Sequence, residues 1–213
     1  LYLLFYLNFY IILNMTMLEE LFSQKLAKIE ESMKKSITMD FSSEWQSDVF
    51  GKLPTAISKQ FIQNLIEPNK ELISLGGKRW RPLLMILCYE MASENHKPLV
   101  SADEVYDLTP LVEFVHTASL IHDDIEDNAD LRRGKPAAHI TYGLDTALNA
   151  GSWLYFLAPV CINKSSLTEQ EKLLLYKVYT EELRRLHLGQ AMDIYWHRNP
   201  DVFPSQDEYN SMV

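Results

Sequence analysis

The stretch "EFVHTASLIHDDIEDNADLRRGK", Glu113 to Lys135, runs from an apolar, helix-like segment into a dense charge cluster. Five acidic residues, Asp123, Asp124, Glu126, Asp127 and Asp130, fall within eight positions, and Arg132, Arg133 and Lys135 follow at once. Glu113, His116, Asp123, Asp127 and Asp130 are separated by 3, 7, 4 and 3 residues. At ~100° per residue these steps predict one stripe along one helix. Leu111, Val115, Ala118 and Ile121 fall on the other faces and suit burial. Asp123 and Asp127 come out one turn apart, about 6 Å along the axis.

Such a cluster is unfavourable by itself. Like charges at i,i+4 repel by about 0.2–0.5 kcal/mol, and acids in the last turn oppose the helix dipole. A cation has to compensate. Oxygen donors without cysteine point to Mg²⁺, which takes one or two carboxylates together with substrate phosphates and water. A solvated helix end produces the same charge run, and the acids alone leave the two open. An EF-hand is excluded, because its glycine and spaced ligands are missing.

Working outward, "GGKRWRP", Gly76 to Pro82, is the second unusual string. Gly76 and Gly77 permit a tight turn and close backbone approach. Lys78, Arg79 and Arg81 set three cations just before or within a helix's first turn, where an anion would meet both side chains and free N–H groups. A linker with solvating charges is the alternative, but it has no need of the glycine pair. Arg132 and Arg133 form a third basic site beyond the acids. His116, lower on the same stripe, is placed to donate to an anion; taken alone, a histidine there would be structural.

The rest of the chain predicts an all-α protein with helices long enough for a bundle. Residues 17–36 carry apolar residues at helical spacing with i,i+4 opposite charges. Residues 54–75 predict a second helix closed by Gly76-Gly77, and Pro82 suits the first turn of a third. "SADE", Ser101–Glu104, predicts a capping box opening one long helix towards residue 127, and "TEQE", Thr168–Glu171, another running to about His197. Residues 137–161 predict a buried helix. Nothing alternates as a strand does.

The chain has 213 residues, is 47% hydrophobic and 23% charged, and carries a net charge of −9. That suits one globular domain and disfavours nucleic-acid binding, which rewards a basic surface. Cys88 and Cys161 lie in apolar runs without metal or disulfide spacing, as suits two buried, reduced thiols in a cytoplasmic protein. "LYLLFYLNFYIILN", residues 1–14, is apolar, lacks a basic n-region and is too short for a stable membrane span. It begins with Leu, and Met15 or Met17 suits a start. Residues 1–14 are therefore expected to be an upstream or non-native segment, with 15–213 the folded part.

"GGKRWRP", "EFVHTASLIHDDIEDNADLRRGKPAAH" and "GQAMDIYW" (Gly189–Trp196), in this order, resemble the polyprenyl synthase family, the trans-isoprenyl diphosphate synthases. The likeness runs from about Gln63 to the C-terminus. DDxxD alone would also fit terpene cyclases, which lack GGKRxRP and the following RRG. The resemblance implies a helical bundle around a deep central cavity, usually dimeric, and condensation of isopentenyl diphosphate with an allylic prenyl diphosphate. It implies that Asp123 and Asp127 bind Mg²⁺ that bridges to the allylic diphosphate, and that Arg132 contacts that diphosphate. Lys78, Arg81, His116 and Arg133 would hold isopentenyl diphosphate, and Gln190 and Asp193 would face the metal and allyl. The implied catalytic set is Asp123, Asp127, Lys78 and Arg132. Gly189, which costs ~1 kcal/mol relative to Ala in a helix, is consistent with close packing near a ligand. The implied chemistry is ionisation of the allylic C–O bond, attack by the isopentenyl double bond and loss of a proton, in a cavity that excludes water.

In the family, bulky residues four or five positions before the acidic motif block long products. Those positions are Ala118 and Ser119, both small, which implies a product of C20 or longer. The family's second aspartate-rich motif is absent before Val213, so the resemblance also implies that these residues are an N-terminal part without turnover of their own. Ser152 stands where the family often has Asp. A second function in a different class is a non-catalytic or regulatory subunit that binds isoprenoid diphosphates.

Overall fold

The computed structural model describes residues 2–38 and 42–212, with side chains described from Leu18 onward. Four helices come first: α1 (Tyr2–Ser36), α2 (Ser43–Phe50), α3 (Lys59–Ser74) and α4 (Trp80–Ser93). A short α5 (Glu104–Asp107) precedes α6 (Pro110–Glu126), and a hairpin of β1 (Leu131–Arg132) and β2 (Lys135–Pro136) follows. The chain continues through α7 (Ala138–Tyr142), α8 (Leu144–Leu157), α9 (Val160–Lys164), α10 (Glu169–Arg198) and α11 (Gln206–Met212). The backbone of α1 begins at Tyr2, but the side chains that would assign a role to the apolar segment 1–14 lie outside the described residues.

The central helix is α6. It buries Leu111, Phe114, Ala118 and Ile121, whose helical spacing forms one broad apolar face, against α1, α3, α4 and α8. The α8 contact is close because of Gly151. A Cβ there would stand 3.0 Å from both Ile121 Cγ2 and His122 Cε1. Asn69 of α3 donates to the Ala150 carbonyl of α8 at 2.8 Å, which ties a third helix to the pair.

Several element boundaries differ from the sequence expectation. Ser101 Oγ does accept the Glu104 N–H at 3.1 Å, but the helix it opens is only α5. Pro110 then starts α6 afresh: it has no N–H to give the preceding turn and suits the first position of a new one. Glu104 does not close a capping box; its carboxylate accepts from Ser166 Oγ at 2.6 Å. The expected helix over 137–161 is three helices, broken at Gly143 (φ +86°) and Pro159. It is also not wholly buried, since Leu144, Leu148 and Phe156 are exposed. The second helix starts at Lys59 rather than residue 54, and α2 was not expected at all; Ser42 Oγ caps it by accepting the Trp45 N–H. Thr168 and Glu171 form the full reciprocal box that opens α10.

The expectation of two buried thiols fails for Cys88, which is exposed because that side of α4 faces an open cleft. Among the described residues, no helix is long and apolar enough to cross a membrane.

Candidate active site

The acidic cluster sits where α6 ends. The last helical residue is Glu126, and Asp127 occupies the C-cap, its N–H bonded to the Asp123 carbonyl at 2.8 Å. The three aspartates of DDIED have distinct surroundings. Asp124 is buried and accepts from Arg132 Nε at 2.8 Å. Asp123 is half-buried; Oδ2 accepts from Arg132 Nη2 at 3.0 Å, and Oδ1 lies 3.4 Å from Gln190 Nε2 of α10. The Asp127 carboxylate is exposed and, among the described residues, carries no hydrogen bond or ion pair. Part of the compensation that the acids require thus comes from Arg132, whose charge is reinforced first by its hydrogen bond to Asp124. Asp123 and Asp127 remain reachable, with oxygen donors only. Among the described residues no group of three or more His, Cys, Asp or Glu side chains could hold a metal ion. The two carboxylates are of the donor type that Mg²⁺ takes together with water and phosphate.

The hairpin separates the two arginines. Its central residues, Arg133 and Gly134, both have positive φ (+52° and +78°), the turn that suits a two-residue hairpin. Arg132 points to the acids. Arg133 reaches the other way, donating to the Gly76 carbonyl and, at 3.3 Å, to the Leu72 carbonyl. Its Nη2 lies 3.1 Å from where a Cβ at Gly77 would stand, so the second glycine admits the guanidinium.

Beside that contact lies a cleft of about 460 Å³, lined by residues 75–81, Glu113, His116 and Arg133. Lys78 is exposed and makes no ion pair among the described residues. Arg81 lies over the Trp80 ring, 4.5 Å from its centroid, and its Nη1 is 3.3 Å from His116 Nε2. Since the guanidinium can only donate, His116 is the acceptor and neutral. Burial, then the charges of Arg81 and Arg133, push its pKa down to about 4.

A second cleft of about 740 Å³ opens between α4, α6 and α10. Its walls are mainly apolar, from Leu84 and Met85 on α4, Val112 and Val115 on α6, and Leu183 and Leu186 on α10. Trp80, Arg81 and His116 line both clefts, so a cationic mouth adjoins an apolar groove. Ser119 lines the apolar cleft, whereas Ala118 is fully buried in the core with Leu111 and Phe114.

Not every candidate joins the site. Asp193 lies 3.4 Å from His197 Nδ1 and makes no contact with the acids, although Gln190, one turn before it, reaches both Asp123 and Glu126. Asp130 falls beyond the helix and leaves the predicted stripe; its carbonyl accepts the Ala137 N–H at the base of the hairpin. Glu113 stays on α6 and lines the cationic cleft with His116, but its carboxylate is buried in an ion pair with Arg79. Gly189 is explained by another helix rather than a ligand: a Cβ there would stand 3.1 Å from the Met212 carbonyl of α11. Of the three cations in GGKRWRP only Lys78 and Arg81 face the cleft openly, since Arg79 is 3% exposed. Asp124 as the anchor of Arg132 and Glu126 as a partner of Gln190 were not anticipated; the i,i+1 and i,i+3 offsets from Asp123 were the available signal. Ser152, the departure from the family's Asp, lies 3.1 Å from His122 Nε2.

Residues 62–213 match the family model described as polyprenyl synthetase. The chain is 36% identical over 160 residues to a geranylgeranyl pyrophosphate synthase of Apiospora sacchari, covering 75% of this chain and 45% of that protein. It is 38% identical over 149 residues to a geranylgeranyl pyrophosphate synthase of Dictyostelium discoideum, covering 70% and 45%. The chain thus spans less than half the length of these curated relatives. Among solved structures, an isoprenoid synthase family member from Thermotoga neapolitana superposes with a TM-score of 0.64 at 30% identity, over 89% of this chain and 62% of that one. A geranylgeranyl pyrophosphate synthetase from Pyrococcus horikoshii superposes with a TM-score of 0.70 at 24% identity, over 92% and 52%, and supports the fold alone.

Proposed function

The chain belongs to the polyprenyl synthetase family, and from that premise we propose that it serves a Mg²⁺-dependent prenyltransferase that condenses isopentenyl diphosphate with an allylic diphosphate, giving a C20 trans-polyprenyl diphosphate. The observation that carries this is the junction of a cationic cleft and an apolar cleft at Trp80, Arg81 and His116, with the carboxylates bridged by Arg132 further along α6. A substrate with an anionic head and a hydrocarbon tail has matching surfaces in both directions. The names of the relatives favour C20.

In this proposal Asp123 and Asp127 hold Mg²⁺, which when bound neutralises diphosphate oxygens and favours departure of the leaving group. Arg132, held by Asp123 and Asp124, presents its remaining N–H groups to the allylic diphosphate. Lys78, Arg81 and Arg133 grip isopentenyl diphosphate, with neutral His116 bonded to Arg81 between the head site and the groove. Gln190 orients Asp123 from the opposite wall. Leu84, Met85, Val115 and Leu183 keep water from the reacting carbons. Ser119 faces the groove and sets how far a tail extends. A homodimer through α8 is part of the proposal, because Leu144, Leu148 and Phe156 form an exposed apolar strip there, with Phe156 76% exposed.

The test is incubation of the protein expressed from its complete reading frame with labelled isopentenyl diphosphate, farnesyl diphosphate and Mg²⁺, followed by product-length analysis. C20 product from that parent protein and none from its Asp123→Ala variant is the expected result. Product formation by Asp123→Ala would sink the metal assignment. A second function uses the same cationic cleft, a diphosphate-binding subunit without turnover. Tight diphosphate binding without product would select it, and no binding at all would dismiss both.

A further inference from the structure

Arg79 is the cation of GGKRWRP that no substrate role uses, and it is the most completely bonded side chain near the site. It sits in the left-handed region (φ +46°, ψ +31°) at the N-cap of α4, a conformation L side chains adopt rarely. Its guanidinium spends every nitrogen on the protein. Nε donates to Glu30 Oε1 at 2.6 Å, Nη1 to Glu113 Oε1 at 2.6 Å and Nη2 to the Ile73 carbonyl at 2.7 Å. The Ile73 carbonyl belongs to the last turn of α3 and also accepts the Gly76 N–H at 3.1 Å, so the guanidinium shares it with the glycine turn. One side chain thus fastens the end of α3, the start of α4, the first turn of α6 and, through Glu30, α1.

The turn it fastens carries Lys78 and leads into Arg81. Lys78 precedes Arg79 directly, and a left-handed residue between them redirects the chain by an amount that a right-handed one would not. From the solvent side Arg133 holds the same turn through the Gly76 carbonyl. Burial opposes the charge of Arg79, and the hydrogen bonds to Glu30 and Glu113 outweigh that cost, so its pKa is raised.

We infer that Arg79 is a positioning residue for the diphosphate cleft, and that Glu30 of α1, which lies outside the family-matched residues 62–213, sets the cleft's geometry through it. The inference rests on the assignment of that cleft to a diphosphate. Other side chains in the cleft offer charge; Arg79 fixes where Lys78 and Arg81 offer it.

The experiment is calorimetric titration of the chain with inorganic diphosphate in metal-free buffer, so that the acid cluster takes no part. Lys78→Ala checks the cleft itself. Glu30→Ala checks the inference, because Glu30 is partly exposed and its loss leaves Glu113 to hold the guanidinium. Glu90→Ala, which removes the ion pair of Lys25 between α1 and α4 away from the cleft, is the control for stability alone. Glu30→Ala is expected to weaken diphosphate binding about tenfold, Glu30→Gln to restore most of it by returning an acceptor, and Glu90→Ala to leave it unchanged. Shifts of the Gly77 and Lys78 amide resonances in Glu30→Ala, absent in Glu90→Ala, are the matching signature. If Lys78→Ala weakens binding while Glu30→Ala binds as the parent does, the positioning role is overturned and the cleft assignment stands. If Lys78→Ala changes nothing, the cleft assignment fails and takes the inference with it.

Discussion

His116 shows how a residue's surroundings decide its role. Buried beside Arg81 and Arg133, it has its pKa lowered from 6.5 to about 4. In the unfolded chain the ring takes up a proton as pH falls through about 6.5; in the fold it resists until about 4. Its contribution to stability is therefore fully present above 6.5 and is lost as pH falls from there towards 4. Urea unfolding across that interval should give a steeper loss for the parent than for His116→Gln, and equal slopes would refute the assignment. A second expectation concerns Ser119: Ser119→Phe should shorten the product below C20 by filling the groove, measurable by chain-length chromatography. Ala118→Phe should instead damage the core, since Ala118 has no exposed surface and overpacking costs about 1–3 kcal/mol. At this scale the acids, Lys78, Arg81 and the arginine pair were legible, because charge clustered against an apolar stripe is visible in one dimension. That Arg79 is internal was not, because Glu30, 49 positions earlier, is half the reason.

Among the elements, α10 was the most legible, being long and capped at both partners of its box, while α6 was legible in its end but not in its start. Pro110, Gly143 and Pro159 were visible punctuation in runs whose apolar content suggested continuity, and the backbone obeyed the punctuation. The hairpin escaped notice because two-residue strands have no alternation to detect, and because its turn needs an arginine in a conformation usually left to glycine or asparagine. Thr168→Ala should cost about 1 kcal/mol by removing the acceptor of the Glu171 N–H, seen as a lower denaturation midpoint. Gly151→Ala should cost about 1–3 kcal/mol by forcing α8 away from Ile121; a change of a few tenths would mean that the two helices yield easily.

For the whole molecule, the all-α class and the pairing of polar head site with apolar interior followed from the sequence, while the location of the groove between α4, α6 and α10 did not. That depends on which helix faces which, and no helix face announces its neighbour. The same holds for the exposed strip on α8. If it joins two copies, Phe156→Asp should convert a dimer to a monomer in sedimentation at micromolar concentration, and an unchanged sedimentation coefficient would remove α8 from the interface. One wall residue gives the groove a readout of its own. Cys88 opens onto it, while the Cys161 thiol is pushed up to about 12 by burial and bonds to the Ala158 carbonyl. The chain thereby carries a single natural handle for thiol-directed fluorophores, so that a probe fixed at Cys88 would report by its emission when a hydrocarbon tail displaces water from the groove.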